Sequence, residues 1–152
     1  MVKNPNSGIG DYNYYDDYET KGEDFEKHVT HFYPFIGDKL IIGKFGAIAK
    51  GVKCIMNGAN HRMDGITTYP FNIMGNGWEK DTTALSDLPL KGDTVIGNDV
   101  WIGENVTVLT GVHIGDGAIV GACSVVAKSI PQYSRAVGNP CKTVKKRFDD
   151  KT

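Results

Sequence analysis

From Ile96 onward the apolar positions recur every six residues. The blocks read IGNDVW, IGENVT, VLTGVH, IGDGAI, VGACSV and VAKSIP. Their first positions are Ile96, Ile102, Val108, Ile114, Val120 and Val126, and their fifth positions Val100, Val106, Val112, Ala118, Ser124 and Ile130. Every first position is β-branched, which stiffens an extended segment, and Gly or Ala follows it in five of the six blocks. The pairs Asn98-Asp99, Glu104-Asn105, Thr110-Gly111 and Asp116-Gly117 then supply turn residues, several of them tolerant of positive φ. The same register runs upstream in IGDKLI from Ile36, IGKFGA from Ile42, IAKGVK from Ile48 and CIMNGA from Cys54. A period of six predicts one prism side per block, three blocks to a coil, and a continuous inner column of first-position side chains. An antiparallel sandwich would alternate with period two and turn roughly every 8–12 residues, which this spacing does not do. The expected class is all-β, a parallel β-helix.

One long excursion loop, about residues 59–93, abandons the repeat; loops of this length in a compact domain are functional or disordered. Tyr69, Phe71, Ile73, Met74 and Trp78 give it too much apolar surface for a solvated linker. A coil interior cannot absorb it, so it is expected to project and pack on a neighbouring subunit, which predicts an oligomer.

Seventeen Lys and Arg against eighteen Asp and Glu leave a net charge of −1, which removes the bulk-charge argument for nucleic acid or an anionic membrane. Any phosphate site must be local. Cys54, Cys123 and Cys141 cannot all pair and show no CxxC spacing, so a reducing, cytoplasmic setting is expected. No signal-peptide core and no apolar run of about 18 residues is present, and the chain reads as one soluble domain, 1–152. His28, His31, His61 and His113 are not spaced as a three-ligand zinc set, so no metal is expected.

His61 sits near the start of the excursion, beside Arg62 and Asp64. Imidazole can take a proton near neutral pH, although a lone loop histidine is more often solvated or structural. Trp101 follows inward-facing Val100 and should point outward, where a ligand or a subunit must cover it. Met56, Phe71, Ile73 and Met74 could extend an apolar acceptor pocket or serve subunit packing. Lys142, Lys145, Lys146 and Arg147 form a basic cluster, read either as a phosphate site or as the solvated face of a short C-terminal helical segment.

The string NGANHRMDGITTYPFNIMGNGWEK, followed by KGDTVIGNDVWIG, resembles the hexapeptide-repeat xenobiotic acetyltransferases, most closely the streptogramin A (virginiamycin) acetyltransferases, from about Ile9 to Phe148. The resemblance implies a left-handed coil, a homotrimer with clefts between subunits, and acetyl-CoA lying along the coils. It implies that His61 is the catalytic base, accepting the proton of a substrate hydroxyl. It places Tyr14 and Tyr33 on the acceptor wall, with Trp101 from an adjacent subunit. The last coils, through Gly121 and Ser124, the segment Gly138, Asn139 and Pro140, and Lys142 and Lys145 are the implied coenzyme surface. Members of the family usually continue past the equivalent of KKRFDD into a helical tail, and an end at Thr152 is expected to weaken trimer, pocket closure and coenzyme affinity. A type B chloramphenicol acetyltransferase-like activity is the nearest alternative, and a non-catalytic trimeric scaffold the alternative from another class.

Overall fold

The structure, a computed structural model, describes residues 3–17, 25–81 and 84–149. Strands two to five residues long stack into three sheets, one per side of the coil. The first coil carries β1 (Ser7–Ile9), β2 (Tyr14–Tyr15) and β3 (Val29–Thr30); the second β4 (Leu40–Ile42), β5 (Ala47–Ile48) and β6 (Lys53–Ile55). The third carries β7 (Thr94–Ile96), β8 (Trp101–Ile102) and β9 (Thr107–Val108); the fourth β10 (His113–Ile114), β11 (Ile119–Val120) and β12 (Val125–Val126). β13 (Ser134–Val137) and β14 (Lys142–Lys146) end the described chain. The sheet orders are β1-β4-β7-β10, β2-β5-β8-β11-β13-β14 and β3-β6-β9-β12.

The register converts the six-residue period into columns. Ile42 pairs with Ile96, Ile48 with Ile102 and Ile102 with Val120, while Cys54 pairs with Val108 and Val108 with Val126. All of these side chains are buried, as are the fifth positions Val100, Val106, Val112, Ala118, Ser124 and Ile130. Each buried Val or Ile contributes on the order of 1.5–3 kcal/mol, so the repeat is itself the core. In seven of the ten blocks the fourth position is a turn residue with positive φ: Phe45, Gly51, Asp99, Asn105, Gly111, Gly117 and Cys123. The second-position glycines serve another purpose. At Gly103 an added Cβ would lie 2.7 Å from the Ala122 nitrogen and 3.0 Å from its Cα, so the next coil's backbone claims that space.

Three features depart from the sequence expectations. A coil carrying β1, β2 and β3 precedes the visible repeat, with buried Phe25 and partly buried Tyr15 and Val29 packed inside it. Ile36 lies in a turn and only half-buried, its N–H donating to the Tyr33 carbonyl, so the inward column begins at Leu40. The expected C-terminal helix is a strand: after Gly138 the chain reverses and β14 pairs antiparallel with β13. Thr143 and Val144 favour extended backbone, a helix this short has no independent stability, and pairing satisfies the open edge of β13.

Candidate active site

The excursion leaves the coil just after β6, whose partner β3 leads it outward: the Met56 N–H donates to the Thr30 carbonyl and the Gly58 N–H to the His31 carbonyl. No strand forms between Ile55 and Thr94 among the described residues, only 3-10 turns at Asn57–Ala59, Phe71–Ile73, Trp78–Asp81 and Leu85–Asp87. At the neck, buried Asn57 donates Nδ2 to Asp38 Oδ2 at 2.9 Å and to the Gly92 carbonyl at 2.7 Å. Its Oδ1 accepts the Lys91 N–H at 2.8 Å and Asn60 Nδ2 at 3.2 Å, and Asn60 Nδ2 also reaches the Pro89 carbonyl at 3.0 Å.

His61 follows directly and is solvent-exposed, with Nδ1 2.8 Å from the Thr68 carbonyl oxygen. A carbonyl only accepts, so Nδ1 carries a proton, and in the neutral ring it is Nε2 that presents a lone pair. The neighbouring Arg62 is committed to Asp64, Nε to Oδ1 at 2.6 Å, which raises the guanidinium's pKa and lowers the carboxyl's, chiefly through that hydrogen bond. Tyr33 lies at the foot of the loop, where its ring and the His31 carbonyl leave no room for a Cβ on Gly58. The Tyr33 ring stacks on Phe35 at 5.5 Å, with His31 edge-on at 6.4 Å.

Tyr14 and Trp101 share the outer face of one sheet. Tyr14 pairs with Ala47 and Ala47 with Trp101, so a single small residue separates two aromatics that are 62% and 55% exposed. The family resemblance puts Trp101 on the acceptor wall from an adjacent subunit; within one chain it stands two rungs from Tyr14 on the same face. Phe71 belongs to a ring cluster with Tyr69 at 4.6 Å and Trp78 at 5.0 Å, while Ile73 and Met74 are exposed on the same excursion. Met56 is a correction: at 0% exposure it is part of the coil core and offers no surface to an acceptor, because it still follows the path of β6 before the chain turns out.

Ser124 is a second correction. Its side chain is fully buried, its Oγ donating to the Gly121 carbonyl at 2.7 Å and accepting the Gly138 N–H at 3.0 Å. It fixes the Gly138–Pro140 turn from beneath and does not face a ligand. Gly121 is packed against Val137, and Gly138, Asn139 and Pro140 form an exposed turn. Lys142 and Lys145 are exposed on β14, opposite Val137 and Arg135. Arg147 leaves the basic cluster: it donates to the Gly117 carbonyl at 2.7 Å and to Asp99 at 3.3 Å, clamping β14 onto the coil. Burial pushes the Cys54 thiol up to about 12. No group of three or more His, Cys, Asp or Glu is placed to hold a metal among the described residues, and no described helix is long and apolar enough to cross a membrane.

With this geometry in place, the family profile described as bacterial transferase hexapeptide (six repeats) matches residues 93–128. The chain is 66% identical over 134 residues to a probable macrolide acetyltransferase of Lysinibacillus sphaericus, covering 88% of this chain and 74% of that protein. It is 56% identical over 149 residues to a virginiamycin A acetyltransferase of Staphylococcus aureus, covering 98% and 67%. A chloramphenicol acetyltransferase of Agrobacterium fabrum is 44% identical over 152 residues, covering 99% and 72%. Among solved structures, soybean serine acetyltransferase apoenzyme superposes with a TM-score of 0.56 at 25% identity, over 92% of this chain and 41% of that one. The chain belongs to the hexapeptide-repeat transferases, within the acetyltransferases of xenobiotic type. It is an acetyltransferase.

Proposed function

We propose that this protein transfers acetyl from acetyl-CoA to a hydroxyl of a streptogramin A-type antibiotic or a similar xenobiotic, with His61 Nε2 as the general base. The single observation that carries the reading is the 2.8 Å contact between His61 Nδ1 and the Thr68 carbonyl, which commits the tautomer and leaves Nε2 basic. Nε2 takes the hydroxyl proton as the oxygen attacks the thioester carbonyl carbon. A C–O bond forms, the carbonyl electron pair moves to oxygen, and collapse of that oxyanion breaks the C–S bond. The imidazolium then returns the proton to the departing coenzyme A sulfur, so no acyl-enzyme and no metal enter the cycle. The base contributes on the order of 10²–10⁴-fold, the remainder coming from juxtaposing the two substrates.

The coil is taken as left-handed and the domain as single, 1–152. Tyr14, Tyr33 and Trp101 are assigned to the acceptor, with Phe71, Ile73 and Met74 lining its apolar side or the subunit contact. Gly121, the Gly138–Pro140 turn, Lys142 and Lys145 are assigned to coenzyme A, the two exposed lysines suiting its phosphates. A homotrimer is part of the proposal, because His61 and Tyr33 are open to solvent in one chain while exposed Met63, Ile66 and Ile73 call for a covering surface. The unpaired cysteines suit a cytoplasmic setting.

The experiment is coenzyme A release from acetyl-CoA by purified protein with a streptogramin A, a macrolide, chloramphenicol or no acceptor, with a control for the protein's own thiols. Release stimulated by the streptogramin supports the reading. Stimulation by chloramphenicol alone moves the acceptor to the alternative that 44% identity over the whole chain keeps open. Coenzyme A binding with no turnover on any acceptor overturns the enzymatic assignment in favour of a scaffold.

A further inference from the structure

His61 is carried by a segment that has no strand and that exposes most of its apolar side chains, so the coil must fix the imidazole through a small number of ties. Four residues before His61, Asn57 is 1% exposed and its side-chain amide is saturated: both amide hydrogens and both oxygen lone pairs are used. Its partners lie on three different pieces of chain. Asp38, itself buried, stands in the turn before β4 and receives both the Asn57 backbone N–H and its Nδ2 at 2.9 Å. Lys91 and Gly92 lie 34 and 35 residues further on, where the excursion returns. Asn60, the residue before His61, takes the remaining bond and links onward to Pro89. One side chain therefore ties the outgoing limb, the returning limb and the second coil together directly beneath the histidine.

We propose that Asn57, seated on the Asp38 carboxylate, is a positioning residue for His61: it sets where the imidazole stands over the coil and keeps Nδ1 turned to the Thr68 carbonyl. The inference rests on His61 acting as the base. Leucine or alanine would leave buried partners unpaired and risk unfolding, so the informative changes are nearly isosteric. Asn57→Asp keeps the acceptor oxygens for Lys91 and Asn60, removes both donors and sets two carboxyls against each other. Asp38→Asn retains one acceptor oxygen. Combined, the two changes exchange donor and acceptor between the two side chains and remove the carboxyl pair, while the residue 57 backbone N–H and the Gly92 carbonyl lose the partners they have in the parent.

The test measures kcat and KM for acetyl-CoA in the two single variants and the double variant, together with ¹⁵N imidazole NMR of His61 in protein without substrates. Expected are a loss of about 10²-fold in kcat for Asn57→Asp, the size a misplacement of order 1 Å produces, little change in KM, and loss of the Nδ1–H tautomer preference. The double variant, which keeps the side-chain contact and holds one carboxyl in place of two, should recover part of both. Wild-type kcat and tautomer in a folded Asn57→Asp protein overturn the inference, as does a double variant no better than the worse single. If Asn57→Asp does not fold, Asn60→Ala, which cuts the link from Asn57 to the residue before His61, takes its place, and an unchanged tautomer and kcat there overturn the inference equally. The NMR readout needs no turnover, so it separates failure here from failure of the base assignment, which His61→Ala tests on its own.

Discussion

The Nδ1 nitrogen of His61 lies 2.8 Å from the carbonyl oxygen of Thr68, seven residues along the chain. That contact makes the loop fold back on its own catalytic candidate, orienting the ring with backbone alone. The imidazole is otherwise exposed, so its removal has little packing cost. His61→Ala is expected to lower kcat by about 10²–10⁴-fold while circular dichroism, oligomer size and coenzyme A binding stay as in the parent. Turnover within threefold of the parent would remove His61 from the mechanism.

Ala47 separates Tyr14 from Trp101 on the outer sheet face, and its small side chain leaves a gap between two exposed rings. Neighbouring strands stand about 4.8 Å apart, so the rings are roughly two rungs, on the order of 10 Å, from one another. An acceptor that uses both rings must pass over Ala47. Ala47→Phe is therefore expected to raise KM for the acceptor at least about tenfold, a loss near 1.4 kcal/mol, with KM for acetyl-CoA unchanged. Equal effects on both constants, in steady-state measurements, would show that this face does not bind the acceptor.

Gly103 tests the packing between coils. The atoms its Cβ would meet, the Ala122 nitrogen at 2.7 Å, the Ala122 Cα at 3.0 Å and the Val120 carbonyl at 3.1 Å, are all backbone and cannot rotate away. Gly103→Ala is expected to destabilise by about 1–3 kcal/mol. Gly8→Ala provides the contrast, because open space surrounds that position. Denaturation midpoints should separate the two variants, and equal midpoints would show that the coils are not held at this spacing.

The repeat was legible because its signal is redundant: a β-branched residue at one position in six must fill the same column in every coil, and Ile96 to Val126 all do. The first coil offers no such redundancy. Tyr15, Val29 and Phe25 fill its interior, each a different size and at a different spacing, and an end coil buries only one face. Met56 misled because an apolar side chain suggested a pocket wall, and Ser124 because the resemblance put the coenzyme along the last coils, while register points both inward, one in the continuation of β6 and the other at a fifth position. His61 was singled out only through resemblance, since the contact that orients its ring runs to a backbone carbonyl with no sequence signature. Asn57 left no trace in the pattern either; its partners at Asp38 and Lys91 are distant in sequence and meet only after the coil has formed.

Ser124 supports a prediction about the coenzyme end of the molecule. Its Oγ is the acceptor for the Gly138 N–H, which opens the turn through Asn139 and Pro140. Ser124→Ala leaves that donor without its partner and is expected to cost about 1 kcal/mol of stability. A looser turn should also raise KM for acetyl-CoA more than KM for the acceptor. Equal KM values in parent and variant, despite the stability loss, would detach this turn from coenzyme binding.

The thiol of Cys54 gives the fold an alkaline limit. It occupies a first position beside Val108, fully buried, and desolvation raises its pKa from 9.0 to about 12. The folded value lies above the unfolded one, so the stabilisation is complete below about pH 9. As pH rises from there toward 12 the unfolded chain loses this proton while the folded chain keeps it, and stability drains at up to about 1.4 kcal/mol per pH unit. Other groups titrate in the same range, so the parent must be compared with Cys54→Val, a β-branched replacement suited to the column. The difference in unfolding free energy between the two proteins should be constant up to about pH 9 and then shift in favour of the valine variant as pH rises. Parallel curves throughout, from urea denaturation at successive pH values, would mean that the thiol is not enclosed in the column between Val29 and Val108.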